Sequence, residues 1–320
     1  MKKWFITGCG GFIGSNLCEF LLKSNQIIYG FDNLSTGSAS NIKRLSTYKN
    51  FHFTDGDILD KHSLSNLIQD IDFVVHLAAQ GSVQRSMDEP ILNNDINVNG
   101  FLNVLTVSSQ NGVEKFIYAS SCSVYGDTDV LPIDESVPPI PLSPYASSKL
   151  MNDYYASNLR DSLMPMKMYG LRFFNIFGPF QDPKGAYAAV IARWINDCIN
   201  GIQPVVYGNG EQTRDFCYVE NVSKLIYSIS ENNNNEGDIF NVSSNTSISL
   251  NNLFKIIHSK LSFHGIELPF DSPSYKEARP GDIIHSLGSN VKAIKELGFA
   301  PKINIEEGIE LILRNQYNFG

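Results

Sequence analysis

An apolar run, Trp4-Phe5-Ile6-Thr7, leads straight into Gly8-Cys9-Gly10-Gly11-Phe12-Ile13-Gly14. Behind it Phe12, Ile13, Leu17, Phe20, Leu21 and Leu22 recur at helical spacing. Strand, glycine turn and helix in that order leave the chain few ways to fold. Helix and strand must pack side by side, with the turn at the strand's carboxyl end. Glycines at 8, 11 and 14 let the backbone approach a pyrophosphate seated on the helix N-terminus, beside Phe12 and Ile13. The next apolar run, residues 26–31, ends at Asp32, eighteen residues past Gly14. An acid there accepts both ribose hydroxyls and repels a 2′-phosphate, so the pattern predicts NAD rather than NADP.

The pattern then repeats. Residues 51–53 form a short strand leading to Asp57-Ile58, and residues 64–68 continue as helix. Residues 72–79 form a nearly continuous apolar strand, as inside a parallel sheet, and end on Leu77 and the small pair Ala78-Ala79. Small residues let a cofactor lie against the strand end. His76 has no partner within reach in the sequence and reads as packed beside that strand. Asn97-Val98-Asn99-Gly100 opens another helix, with Phe101, Val104, Leu105 and Val107 on its apolar face; residues 115–121 are the next strand. This alternation predicts an α/β chain with a Rossmann-type doubly wound parallel sheet and ligands at the strand carboxyl ends. A smaller α/β substrate-binding lobe follows it. Residues 1–174 make the NAD-binding domain, together with a later strand near 239–243, and residues 175–320 make mainly the second lobe.

At 320 residues the chain is long enough for a sizeable core, and its net charge of −8 argues against a nucleic-acid surface. The five cysteines are scattered, with no Cys-x-x-Cys, so neither a disulfide framework, a zinc site nor any other metal is expected. No apolar run approaches a membrane span, and the N-terminal run is too short for a signal peptide. A cytoplasmic protein is the expectation.

Ser143-Pro144-Tyr145-Ala146-Ser147-Ser148-Lys149 carries a phenol and an ammonium four residues apart, on one helix face. Taken alone, the pair reads first as an exposed i,i+4 contact. Beside the strand end at Ser121 it reads as a proton-handling site, since a nearby cation favours the phenolate. Later, Arg214 and Arg279 flank glycine-rich stretches. From the residues alone these are either surface ion pairs or a clamp for a diphosphate.

These pieces together resemble the extended short-chain dehydrogenase/reductase superfamily, and within it the NAD-dependent nucleotide-sugar epimerases. The matching motifs are Gly8-x-x-Gly11-x-x-Gly14, Asp32-Asn33-Leu34-Ser35-Thr36-Gly37, Asp57-Ile58, His76-Leu77-Ala78-Ala79, Ser121 four residues before Tyr125, and Tyr145-x-x-x-Lys149. The resemblance implies that Ser121, Tyr145 and Lys149 are catalytic: Tyr145 as base, Ser121 bridging the sugar hydroxyl, Lys149 holding the ribose and depressing the tyrosine pKa. It implies that Asn33, Ser35, Thr36, Gly37, Asn97 and Phe173 join the glycine motif, Asp32, Asp57, Ile58 and Leu77-Ala78-Ala79 around NAD. For a UDP-sugar it implies Ser82, Val83, Ser121, Ser123, Tyr145, Asn175, Ala189, Val190, Tyr207, Arg214, Arg279, Asp282 and Ser286. The segment 181–191 resembles one that lies along the nucleotide and sugar. A small residue at 286 leaves room for an N-acetyl group where a tyrosine would fill it. The implied activity is 4-epimerisation of UDP-N-acetylglucosamine/UDP-N-acetylgalactosamine, and also of UDP-glucose/UDP-galactose. A UDP-glucuronate decarboxylase or 4-epimerase is the alternative, and a non-catalytic NAD-binding regulator a more distant one. The family's dehydratases carry Asp-Glu after the Ser/Thr; Cys122-Ser123 stands there instead, which disfavours dehydration. A homodimer through helices near 97–112 and 145–162 is also implied.

Overall fold

The computed structural model describes residues 1–184, 189–278 and 284–319. The first half supplies strands β1 (Lys3–Thr7), β2 (Ile27–Asp32), β3 (Phe51–Asp55), β4 (Phe73–His76), β5 (Lys115–Ser121) and β6 (Lys167–Phe173). The second half supplies β7 (Asn175–Phe177), β8 (Val205–Tyr207), β9 (Thr213–Tyr218), β10 (Ile239–Val242), β11 (Ser247–Ser249) and β12 (Ser274–Lys276). Helices α1 (Phe12–Lys23), α2 (Ala39–Leu45), α3 (Lys61–Leu67), α4 (Val83–Asp88), α5 (Pro90–Asn94), α6 (Gly100–Gln110) and α7 (Pro144–Asn158) belong to the first half. Helices α8 (Val190–Ile199), α9 (Val219–Glu231), α10 (Leu250–Phe263), α11 (Val291–Leu297) and α12 (Ile305–Tyr317) belong to the second.

Seven strands pair in parallel in the order β10-β6-β5-β4-β1-β2-β3. Strand order reverses beside β1, so the ligand crevice of such a sheet opens between the carboxyl ends of β1 and β4. Alternate residues feed opposite faces. Trp4, Ile6, Val75 and Ile117 enter a core covered by α1, α9 and α11. Phe5, Val74, Phe116 and Tyr118 enter a second core under α3, α6 and α7. Burial on both faces is why the central strands read as unbroken apolar runs.

The expected return of the chain to the sheet is β10, paired with β6. The lobes interleave more than the sequence pattern implied, because α9 and α11, from the second half, also pack on the first core. The second lobe has a core of its own, formed by β7, β9, α8, α10 and α12 around Trp194, Phe216, Phe254 and Ile312. It carries two small sheets, β11-β9-β7 and β12-β8.

Two boundaries differ. β4 stops at His76, and residues 77–79 turn away as its loop. Asn97 does not open a helix: α5 begins at Pro90 and runs through a π-turn, Asp95–Asn99, into α6. The extra residue of a π-turn re-aims side chains without ending the helix, and here it turns Asn97 inward. Among the described residues no helix is long and apolar enough to cross a membrane, and no group of His, Cys, Asp and Glu is arranged to hold a metal ion.

Candidate active site

The turn after β1 and the loop after β4 meet in the crevice. Gly8 has φ +74°, and a Cβ there would fall 2.6 Å from the Ala78 nitrogen. A Cβ on Gly14 would fall 2.1 Å from the Gly8 carbonyl oxygen. Only bare backbone fits, so the start of α1 presents its N–H groups to the crevice. Thr7 joins the two strands: its hydroxyl lies 2.8 Å from His76 Nδ1 and accepts from the Ala78 N–H at 3.2 Å. At the end of β2, Asp32 accepts from the Gly10 and Leu34 N–H groups, each at 2.8 Å. Those two bonds fix the carboxylate at the cleft wall and leave it further lone pairs for a ligand. Asn33 donates to Asp57 at 3.0 Å, joining the second and third strand ends.

The cleft so formed measures about 610 Å³. It is lined by the glycine turn with Phe12 and Ile13, by Asp32, Asn33, Ser35 and Thr36, by Asp57 and Ile58, and by Leu77, Ala78 and Ala79. Gly37, Asn97 and Phe173 do not line it. Gly37 packs beneath, where a Cβ would meet the Asp32 carboxylate at 3.0 Å. Phe173 belongs to the first core. Asn97 is 1% exposed and its amide is taken up by the protein: Oδ1 accepts from Gln80 N, while Nδ2 reaches Gln80 O, Asn93 Oδ1 and Ser148 Oγ. It fastens the β4 loop to α7, so it positions both without reaching the cleft. Gln80 and Arg85 line the cleft unforeseen by the sequence pattern, and Gln181, which the resemblance set along the nucleotide and sugar, lines it as well.

The start of α7 is set by Ser143, whose Oγ accepts from Ala146 N at 3.1 Å, and by Pro144 in the first turn. Tyr145 N donates to Ser86 Oγ at 3.1 Å, which locks that turn to α4. One turn on, Lys149 is 3% exposed and donates to the carbonyl of Ala119, a cleft-lining residue of β5, at 2.8 Å. Ser121 ends the same strand, and its Oγ accepts from the backbone N–H and the hydroxyl of Ser123, at 3.2 and 2.9 Å. The three predicted residues are thus brought together at the carboxyl edge of β5.

Their electrostatics differ from the expectation in one respect. Burial pushes the Tyr145 phenol up to about 12, with hydrogen bonding from Ser121 pulling it down. Burial also lowers Lys149 to about 8, with Asp153 opposing. The lysine directs its ammonium to Ala119, and its nitrogen stays 5.9 Å from the tyrosine ring centre. Desolvation is the largest influence on the phenol, which is raised rather than depressed.

A second cleft of about 600 Å³ lies on the other lobe, lined by Asn175, Val190, Tyr207 and Arg214 together with Lys184 and Arg193. Asn175 donates to the Asp215 carbonyl at 3.1 Å, and Arg214 to that of Thr213 at 2.9 Å. Ser286, 8% exposed, donates its N–H to the same Thr213 carbonyl at 3.1 Å. Ala189 precedes α8. Ser82 caps α4, accepting from Arg85 N, and Val83 stands exposed in that helix's first turn. Arg279 and Asp282 lie outside the described residues. Burial pushes the Cys122 thiol up to about 12, and the charges of Asp215 and Arg214 both reach it.

Residues 4–243 match the model of the NAD dependent epimerase/dehydratase family. The chain belongs to that family. It is accordingly an NAD-dependent enzyme, and the backbone cradle and aspartate of the first cleft fit that cofactor. A putative UDP-glucose 4-epimerase of Methanocaldococcus jannaschii is 35% identical over 96% of both chains. The structure of UDP-N-acetylglucosamine 4-epimerase from Methanobrevibacter ruminantium, in complex with UDP-N-acetylmuramic acid, superposes with a TM-score of 0.90 at 34% identity, covering 98% of this chain and 97% of that one. UDP-glucose 4-epimerase of Thermotoga maritima with UDP-glucose gives 0.89 at 32%, with the same coverage.

Proposed function

We propose that the protein is a UDP-sugar 4-epimerase that interconverts UDP-N-acetylglucosamine and UDP-N-acetylgalactosamine and also accepts UDP-glucose and UDP-galactose. The observation that carries this reading is the meeting of Ser121, Tyr145 and Lys149 at the carboxyl end of β5, the strand whose Ala119 lines the dinucleotide cleft, in a chain whose other lobe offers a second cleft holding Arg214 and Asn175. Bound NAD supplies a hydride acceptor that returns the same hydride, and its positively charged ring favours the phenolate. Tyr145 takes the proton of the sugar C4 hydroxyl as hydride leaves C4. Ser121 receives both hydrogen bonds of Ser123, so its own proton points onward to the Tyr145 oxygen or the sugar oxygen. Lys149, anchored on β5, contributes its charge beneath both. Arg214 and Asn175 hold the diphosphate while the 4-keto sugar turns about that link and presents its other face. Cys122-Ser123 stands where the family's dehydratases carry Asp-Glu, so no carboxyl pair is there to expel water, which favours closing the cycle as epimerisation.

Ser286, held by its N–H on the carbonyl of Thr213 next to Arg214, supports admission of an N-acetyl group, since the resemblance puts a small side chain there where a tyrosine would exclude it. Of the neighbours named above, two are named for UDP-glucose and one for UDP-N-acetylglucosamine, which supports testing both pairs as substrates. A homodimer in the cytoplasm completes the reading. Incubating the purified protein with NAD and, separately, UDP-N-acetylglucosamine, UDP-glucose and UDP-glucuronate tests it, with products read by chromatography. Conversion of the first two to their C4 epimers is expected. Turnover of UDP-glucuronate alone would replace this reading with the glucuronate one. Tyr145→Phe, expected to lower kcat about a thousandfold, separates an enzyme from a regulator: equal turnover in that variant removes the mechanism.

A further inference from the structure

The dinucleotide cleft holds two side-chain atoms that the protein itself leaves without partners. Gln80 follows Ala78-Ala79 and is 3% exposed. Its Oε1 accepts from Ser82 N at 2.9 Å, and Asn97 holds its backbone on both sides. The Ser82 bond fixes which end of the amide is oxygen, so the NH₂ faces the other way. That Nε2 is buried and has no hydrogen-bond partner among the described residues. Gln181 lines the same cleft from the other lobe, and its Oε1 is also buried and unpartnered among the described residues. One orphan is a donor and the other an acceptor. A buried polar group without a partner is costly, and a ligand that meets it recovers the loss.

The fold also works to place Gln181. The loop that carries it is fastened on three helices. Asn16 of α1 donates to the Pro179 carbonyl at 3.0 Å, the Arg44 guanidinium of α2 lies 3.9 Å from the Phe180 ring centre, and Phe180 N donates to Gln316 of α12 at 2.8 Å. Phe180 is held at φ +66°, a strained conformation for an aromatic residue and one that clusters at ligand clamps. The resemblance set residues 181–191 along the nucleotide and sugar, yet Gln181 faces the dinucleotide cleft.

We propose that Gln80 and Gln181 form a two-lobed amide clasp on the dinucleotide, with Gln80 donating to it and Gln181 accepting from it. A dinucleotide carries both kinds of partner: phosphate and ribose oxygens accept, while ribose hydroxyls and amide N–H groups donate. The clasp binds the cofactor to both lobes at once and so slows its release between turnovers, which a self-regenerating cycle requires. The inference rests on the NAD reading of the cleft.

Titration of nucleotide-free protein with NAD by calorimetry tests it, with stopped-flow dissociation and the dinucleotide content of the purified protein as further readouts. Gln80→Glu keeps the shape and the acceptor for Ser82 but removes the donor; Gln181→Met keeps the length but removes the acceptor. Each is expected to raise the NAD Kd at least about tenfold, or about 1.4 kcal/mol, and to speed release, with the nucleotide-free protein still folded by circular dichroism. Wild-type affinity in either folded variant overturns the clasp. Gln181→Met, on a surface loop, keeps the test open should Gln80→Glu fail to fold. A wild-type protein that does not bind NAD overturns the cofactor reading itself, a separate outcome.

Discussion

His76 is 2% exposed, packed against the rings of Phe101 and Phe116, with Thr7 as its hydrogen-bond partner. Burial, aided by the charge of Lys149, pushes its imidazole down to about 3. The unfolded chain takes up this proton near pH 6.5 and the folded chain only near 3. Between those values the unfolded state binds more protons, so stability is lost as pH falls, by up to about 1.4 kcal/mol per unit. The urea midpoint should decline from pH 6.5 to 4, and less steeply in His76→Gln. Parallel declines would remove the attribution. Ser286 offers a second residue-scale test, on specificity. Ser286→Tyr should raise the KM for UDP-N-acetylglucosamine more than about tenfold and change that for UDP-glucose little. Equal effects on the two sugars in steady-state assays would show that residue 286 does not wall the sugar pocket.

Helix α7 carries Tyr145, Lys149 and Asp153 on successive turns, and the third anchors the first two. Asp153, 1% exposed, pairs with Arg172 of β6 at 2.9 Å and accepts from Tyr118 of β5 at 3.1 Å. Arg172 donates to Tyr125 at 2.8 Å, and Tyr125 to Asn241 of β10 at 2.7 Å. Removing one partner of such a buried pair strands the other charge. Arg172→Met should therefore cost about 3–5 kcal/mol in denaturant unfolding, and adding Asp153→Leu should restore part of it. Strictly additive losses would mean the ion pair is not the coupling. Much of this element level was legible in the sequence. The glycine turn, Asp32, the strand that rejoins the sheet and the Tyr145–Lys149 spacing are local patterns, set by backbone sterics and periodicity. Other features depend on neighbours far along the chain. Asn97 looks like a ligand-binding amide until the π-turn faces it to Gln80 and Ser148. Gln80 and Gln181 look like ordinary loop glutamines until their surroundings leave one atom of each unpartnered. The upward shift of the phenol was equally hidden, because desolvation is a property of the packed site.

At the scale of the molecule, the outer side of α7 exposes two large side chains to solvent. Ser147, Met151, Tyr154 and Asn158 recur there at helical spacing, with Met151 and Tyr154 43% and 50% exposed. Helices α4 and α5 pack against α7 and add Val83, Met87 and Ile91, the last 79% exposed. An isologous pairing about a two-fold axis would bury this face against its own copy, and any substitution in it enters twice. The wild type should accordingly run as a dimer in size-exclusion chromatography with light scattering. Met151→Glu combined with Tyr154→Glu should run as a monomer, since like charges facing across an interface cost several kcal/mol. A wild type monomeric at every concentration would remove the dimer from the proposal. The monomeric variant separates assembly from chemistry. Lys149 points to the buried side of α7, and the helix is held there by Ser86, Asn97 and Ala119 of its own chain. The variant should therefore still bind NAD with wild-type affinity. A variant that loses NAD on dissociation would mean that the partner, rather than α4 and the π-turn, sets the register of α7.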